Sequence, residues 1–202
     1  MNDFLYKFLK IVMKNIALFA SGNGTNVQQI AEYFKENKTI LVSCVVVNRK
    51  KIFVIERAKK LGLECFYFNR EDFYSSDKVL NLLKQRNIDY IILAGFLWLI
   101  PQNILSAYQQ KIINIHPALL PKYGGKGMFG HNVHEAVIKN HEKESGITIH
   151  YVNQEYDKGD IIFQTKCKLT PEDTPDTLAE KIHLLEKEYF PQIIERVINN
   201  SI

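Results

Sequence analysis

Two polar residues at the end of an apolar run are the first candidates for chemistry. Asn114 and His116 sit in Ile-Ile-Asn-Ile-His-Pro, residues 112–117. Two positions apart on an extended strand, they share one face. An asparagine amide can donate to a developing oxyanion, and a histidine can move a proton. The pair could equally do no more than satisfy backbone groups where a strand ends. A histidine in catalysis also wants an acid to orient or charge it. Asp157 and Asp160, in Tyr-Asp-Lys-Gly-Asp (156–160), compete for that role. Spacing does not choose between them, and turns attract aspartate for purely local hydrogen bonding.

A second candidate is the loop Ser-Gly-Asn-Gly-Thr-Asn, residues 21–26. Glycines let a backbone turn tightly and approach a ligand closely. A helix start that follows offers unpaired N–H groups and the positive end of a dipole, which suits phosphate. The loop is not GxGxxG, because Val27 stands where the third glycine would be. Nor is it a P-loop, since no Gly-Lys-Ser/Thr follows. A monophosphate is therefore favoured over a dinucleotide. The alternative is a plain strand-to-helix turn with Thr25 or Asn26 as the N-cap.

Other reactive side chains carry less. His131, His134 and His141 fall on or near one helix, and the first two are one turn apart. No HExxH motif, cysteine partner or acidic triad joins them, so no metal is expected. His150 alternates with Thr148 and Val152, so it faces a definite side, either core or site. Phe96 and Trp98 are core or the wall of a flat ring, with core the expectation for Phe96. Cys44, Cys65 and Cys167 show no CxxC spacing and read as thiols in a reducing cytoplasm. The net charge is +4 and the five arginines are scattered. That argues against a nucleic-acid binder and leaves room for a small anionic substrate. The longest apolar runs, about eight residues, fall short of the roughly 20 that a membrane span needs.

These candidates must be positioned by secondary structure, and the periodicity supplies it. Residues 15–20, 40–47, 64–68, 89–94 and 111–115 read as strands, with β-branched, nearly continuous apolar runs at 40–47 and 89–94. Helical spacing occupies 26–35, 52–61, 76–86 and about 102–108 between them. This alternation predicts an α/β fold, an open and mostly parallel twisted sheet with helices on both faces. In such sheets ligands bind beyond the carboxyl ends of the strands, where Asn114 and His116 fall. Residues 117–130 read as an ordered, glycine- and proline-rich loop, and 132–140 as a helix. Strands at 146–152 and 160–169 lie too close for a crossover, so they are predicted antiparallel. Thr174-Pro175-Asp176 opens a final helix. Residues 1–13 read as a short amphipathic extension, with Met13 as an alternative start, and 14–202 as one catalytic domain.

Taken together, the stretches 19–28 (FASGNGTNVQ), 93–96 (LAGF), 113–123 (INIHPALLPKY), 150–152 and 156–164 (YDKGDIIFQ) resemble the formyltransferase-fold family. Within it, the SGNGTN loop is similar to that of the phosphoribosylglycinamide formyltransferases of purine biosynthesis. The likeness runs from about Lys14 to Val197. It implies the Rossmann-like formyltransferase fold and a catalytic trio of Asn114, His116 and Asp157, which selects Asp157 over Asp160. It implies phosphate contacts at Gly24, Thr25 and Asn26, and a ribose contact at Glu186. It also implies a folate pocket at Leu97, Trp98, Leu99 and Ile100, and a strand histidine near the site at His150. Trp98 departs from the basic residue many members carry there. The implied reaction moves the formyl group of 10-formyltetrahydrofolate to the amine of glycinamide ribonucleotide, with Asn114 and a protonated His116 meeting the oxyanion. The implied partners are these two small molecules, with no metal, nucleic acid or membrane, in a cytoplasmic monomer or homodimer. Another formyltetrahydrofolate-using transferase or hydrolase of the same fold is the alternative. Methionyl-tRNA formyltransferase and formyltetrahydrofolate hydrolase carry extra domains that 202 residues are not expected to supply. A nucleotide-dependent oxidoreductase would want an acid at the end of the second strand, where Val47-Asn48-Arg49 stands.

Overall fold

The structure, a computed structural model, describes residues 13–200, so the expected extension lies outside the described residues except for Met13. Among the described residues, the strands are β1 (Lys14–Ala20), β2 (Ile40–Val47), β3 (Cys65–Tyr67), β4 (Ile88–Leu93), β5 (Ile112–His116), β6 (Glu144–Tyr151) and β7 (Ile161–Lys168). The helices are α1 (Thr25–Tyr33), α2 (Phe53–Lys60), α3 (Arg70–Tyr74), α4 (Lys78–Gln85), α5 (Gln102–Ala107), α6 (His131–Lys139) and α7 (Pro175–Asn199). All the strands join one sheet in the order β3-β2-β1-β4-β5-β6-β7. The pairs from β3 through β5 are parallel. The pairs β5–β6 and β6–β7 are antiparallel, as the short connection before β7 requires.

Successive side chains on a strand point to opposite faces, and here each face has its own core. On β1, Ile16, Leu18 and Ala20 feed one core, and Ala17 and Phe19 the other. Helices α1, α2, α6 and α7 cover the first face, and α3, α4 and α5 the second. Burial on both faces is why β1, β2 and β4 read as continuous apolar runs rather than alternating ones. In β2 the register slips, Ile16 pairing with Val42 and Ala17 with Cys44, so Ser43 is an extra residue. Thr174 caps α7 by accepting the Thr177 N–H, and Thr177 returns a side-chain contact to the Thr174 N–H, with Pro175 just inside the helix.

One helix differs from expectation. Residues 70–74 form α3, capped by Asn69, whose side chain accepts the Asp72 N–H at 2.8 Å. Five residues are too few to display a 3.6-residue period, so only the cap could have announced it. Helix α4 starts at Lys78, not Ser76. Among the described residues, no helix is long and apolar enough to cross a membrane.

The chain runs outward from β1 through β2 to β3, then returns to place β4 on the other side of β1. Loops leaving β1 and β4 therefore diverge, and the crevice between them is where ligands bind in open sheets of this kind.

Candidate functional site

A cavity of about 610 Å³ opens at that crevice. Its walls are the loop 21–26 after β1, residues 94–97 after β4, 114–117 at the end of β5, and the glycine-rich segment 125–130. Tyr156 and Asp157 close one side, and Ile182, His183 and Glu186 of α7 another. The first two loops are tied together: the Ser21 N–H donates to the Gly95 carbonyl at 3.0 Å, and the Leu97 N–H donates to Ser21 Oγ at 3.0 Å.

Asn114, His116 and Asp157 all line this cavity. His116 is buried, with Nε2 2.7 Å from the Tyr123 carbonyl oxygen. A carbonyl only accepts, so Nε2 carries a proton. Nδ1 then faces Asp157 Oδ2 at 3.5 Å. Burial pushes the His116 pKa below the ordinary histidine value, and the charge of Asp157 and the Tyr123 carbonyl only partly offset it. With Nε2 on a carbonyl and Nδ1 facing a carboxylate, both ring nitrogens meet acceptors, which opposes the effect of burial.

Asp157 has a backbone φ of 57°, in the left-handed region, and its carboxylate is largely buried in the cavity wall. Burial works to raise its pKa. The His150 contact, the charge of His116 and the Gly125 N–H, donating at 2.9 Å, outweigh burial and hold it below the usual carboxylate range. The loop can lie this close because residue 124 is glycine. A Cβ there would stand 2.5 Å from Leu120 Cδ2 and 3.2 Å from Asp157 Cβ. Asp160 is exposed and lies outside the cavity lining.

His150 is buried beside the trio on β6. Its Nδ1 lies 2.7 Å from the Tyr151 carbonyl oxygen and so carries the proton. Its Nε2 then accepts from Asn114 Nδ2 at 3.0 Å. An amide nitrogen has two hydrogens, so this leaves the second one on Asn114 for a ligand. His150 Nε2 also lies 3.7 Å from Asp157 Oδ1, so the carboxylate stands between two imidazoles.

The loop after β1 differs from the expected cap. Gly24, not Thr25 or Asn26, is the N-cap, with φ 77° and no side-chain hydrogen bond. The Asn26 side chain instead donates to Glu186 Oε2 at 3.1 Å. The first-turn N–H groups of α1 have no intrahelical acceptor, and Gly24, Thr25 and Asn26 line the cavity. Burial pushes the Glu186 pKa up to about 7, with the Asn26 contact opposing it.

Of the residues 97–100, Leu97 lines the cavity. The Trp98 ring packs edge-on against Phe73 at 5.4 Å and tilts over Tyr74, with the Arg70 guanidinium 5.2 Å above it. Ile100 is buried in the second-face core, and the Leu99 carbonyl accepts the Tyr74 hydroxyl at 3.1 Å. Phe96 is core, as expected, and also reaches the cavity.

Sequence reading did not nominate Arg49, Met128, Phe129, Tyr156 or His183, all of which line the cavity. Arg49, Met128, Phe129 and Tyr156 are placed by loop paths that no local pattern encodes, and His183 by the α7 face that also carries Glu186. His134 also lines it, buried and with no partner for Nδ1. Burial, then the neighbouring His183, His131 and His116, push its pKa down to about 4. His131 is exposed and faces Glu135 at 3.3 Å. Among the described residues, no group of three or more His, Cys, Asp or Glu side chains is placed to hold a metal.

Known proteins share both the sequence and the architecture. The Formyl transferase family profile (Formyl_trans_N) matches residues 14–194. The phosphoribosylglycinamide formyltransferase of Bacillus subtilis (strain 168) is 35% identical over 191 residues, covering 92% of this chain and 95% of that protein. The crystal structure of phosphoribosylglycinamide formyltransferase from Bacillus halodurans superposes with a TM-score of 0.83 at 32% identity, over 94% of this chain and 97% of that one. That of glycinamide ribonucleotide transformylase 1 from Geobacillus kaustophilus gives 0.81 at 37% identity, over 90% and 97%. With the family profile spanning the whole sheet and the matches running nearly end to end, this chain belongs to the formyl transferase family.

Proposed function

We propose that this chain is a phosphoribosylglycinamide formyltransferase that carries the formyl group of 10-formyltetrahydrofolate to the amine of glycinamide ribonucleotide. The observation that carries the reading is the meeting of Asn114, His116 and Asp157 in the same cavity as the glycine loop. One end of that cavity suits a phosphate, and the other holds an amide donor, an imidazole and a carboxylate.

In this reading the phosphate rests on the N–H groups around Gly24–Asn26, and Glu186 meets the ribose. The folate lies toward Leu97 and the neighbouring backbone, with Tyr156 and Asp157 across from it. The amine attacks the formyl carbon, the C=O bond opens to a tetrahedral oxyanion, and the amine nitrogen becomes cationic. The second amide hydrogen of Asn114, the one not given to His150, meets that oxygen in this reading. His116 takes the proton that the attacking nitrogen sheds, and Asp157 at 3.5 Å stabilises the imidazolium. The same proton then passes to the leaving N10, with Asp157 or water relaying it, as the C–N10 bond breaks. No step calls on a metal. Holding both substrates in one crevice supplies the alignment.

The test is release of tetrahydrofolate by the purified protein. Release only when glycinamide ribonucleotide is present supports the transferase. Release with the folate alone would make it a hydrolase, and no release at all would leave a binding protein.

A further inference from the structure

Arg57 lies on α2, outside the cavity, yet it holds the loop that forms one end of it. Its Nε donates to the Asn23 carbonyl at 2.9 Å. One turn earlier, the Val54 N–H donates to the Gly22 carbonyl at 3.3 Å. In a trans peptide the carbonyl and the following N–H point in opposite directions. Two successive carbonyls drawn toward α2 therefore turn the N–H groups of Asn23 and Gly24 the other way, and both residues line the cavity. Consecutive N–H groups presented in this manner make an anion-binding concavity. The Arg57 guanidinium is itself fixed. It stacks 4.9 Å over the Phe53 ring, and its Nη1 contacts Gln28 Oε1, while Gln28 Nε2 donates to Glu32 Oε1 at 2.7 Å.

We propose that Arg57 is a positioning residue that sets the phosphate affinity of the 22–26 loop without touching the substrate. This rests on the formyl-transfer reading above. Without Arg57, the Asn23 peptide is free to rotate and bring its carbonyl oxygen toward the phosphate. That exchanges a donor for an acceptor at the anion. A lysine keeps the charge but not the fork that reaches both Asn23 and Gln28.

The test compares wild type with Arg57→Ala, Arg57→Lys and Arg57→Gln. The Michaelis constants for the ribonucleotide and the folate are measured, along with binding of inorganic phosphate by phosphorus NMR titration. Arg57→Ala is expected to weaken the ribonucleotide and phosphate about tenfold or more. Turnover at saturating ribonucleotide and the folate constant should stay within about twofold of wild type. Arg57→Lys is expected to recover part of the loss. A merely structural role would move both Michaelis constants together, or lower turnover with melting temperature, and either result overturns the proposal. So does unchanged phosphate binding in Arg57→Ala. Should that variant fail to fold, Arg57→Gln decides the matter with the same expected direction. A wild-type protein that binds phosphate but transfers no formyl group would sink the transferase reading instead. The phosphate titration would still judge Arg57.

Discussion

Replacing Gly24 with alanine is a local perturbation whose cost follows from the structure. The added Cβ would lie 2.3 Å from Val54 Cγ2, 2.6 Å from Val54 Cβ and 3.0 Å from Val54 Cα. Atoms cannot remain so close, so the loop must move away from α2. Overpacking of this kind costs about 1–3 kcal/mol. The φ of 77° adds about 1–2 kcal/mol for a residue with a Cβ. Stiffening of the unfolded chain returns about 0.4–1 kcal/mol. The expected net loss is about 1–5 kcal/mol, read from urea or guanidinium unfolding. Because the loop shifts, the ribonucleotide Michaelis constant should rise more than the folate one. Val54→Ala removes the nearest colliding atom, Cγ2, and leaves Cβ at 2.6 Å, so the collision is partly relieved and the two changes couple. In the double mutant the loss should fall short of the sum of the singles by about 0.5 kcal/mol or more. Simple additivity, or an unperturbed Gly24→Ala protein, would refute the claim that α2 braces this loop.

Asn114→Ala and Asp157→Asn should each lower turnover by about two to three powers of ten with unchanged circular dichroism, and Asp160→Asn should stay near wild type. His134 takes up a proton in the folded state only near pH 4, against about 6.5 unfolded. Stability is therefore full above pH 6.5 and falls as pH drops toward 4, by about 3 kcal/mol, and His134→Gln should flatten this limb of the unfolding profile. Glu186 has the opposite sign, since its pKa is raised to about 7. Its protonated form stabilises the fold at low pH, and that contribution is lost as pH rises through 7. Glu186→Gln, which still accepts from Asn26, should narrow the stability difference between pH 5 and pH 8 in thermal melts.

Much of this was legible in the residues. The β1 and β4 runs are continuous because two cores bury both of their faces. The Thr174-Pro175 start of α7 is a local signal with a local cause. Asn114 and His116 share a strand end, so their convergence follows from a period of two. Glu186 also had a signal: it stands in the buried stripe Leu178, Ile182, Glu186, Phe190, where an acid has no structural reason to be. What escaped depends on distant parts of the chain. The Asn26 side chain, a natural cap by type, serves Glu186 160 positions away instead. Trp98 packs against α3, a helix too short to show its period. The Tyr123 carbonyl that meets His116 Nε2 comes from the loop after β5, whose path no spacing encodes.

The most direct test of the account follows a labelled formyl carbon. Wild type, Asp157→Asn and Asp160→Asn are each mixed with formyl-labelled 10-formyltetrahydrofolate and glycinamide ribonucleotide, and the label in the ribonucleotide is counted over a single turnover. The account predicts transfer by wild type and Asp160→Asn, with Asp157→Asn slower by about a hundredfold or more. Fast transfer by Asp157→Asn alongside an inert Asp160→Asn would contradict it.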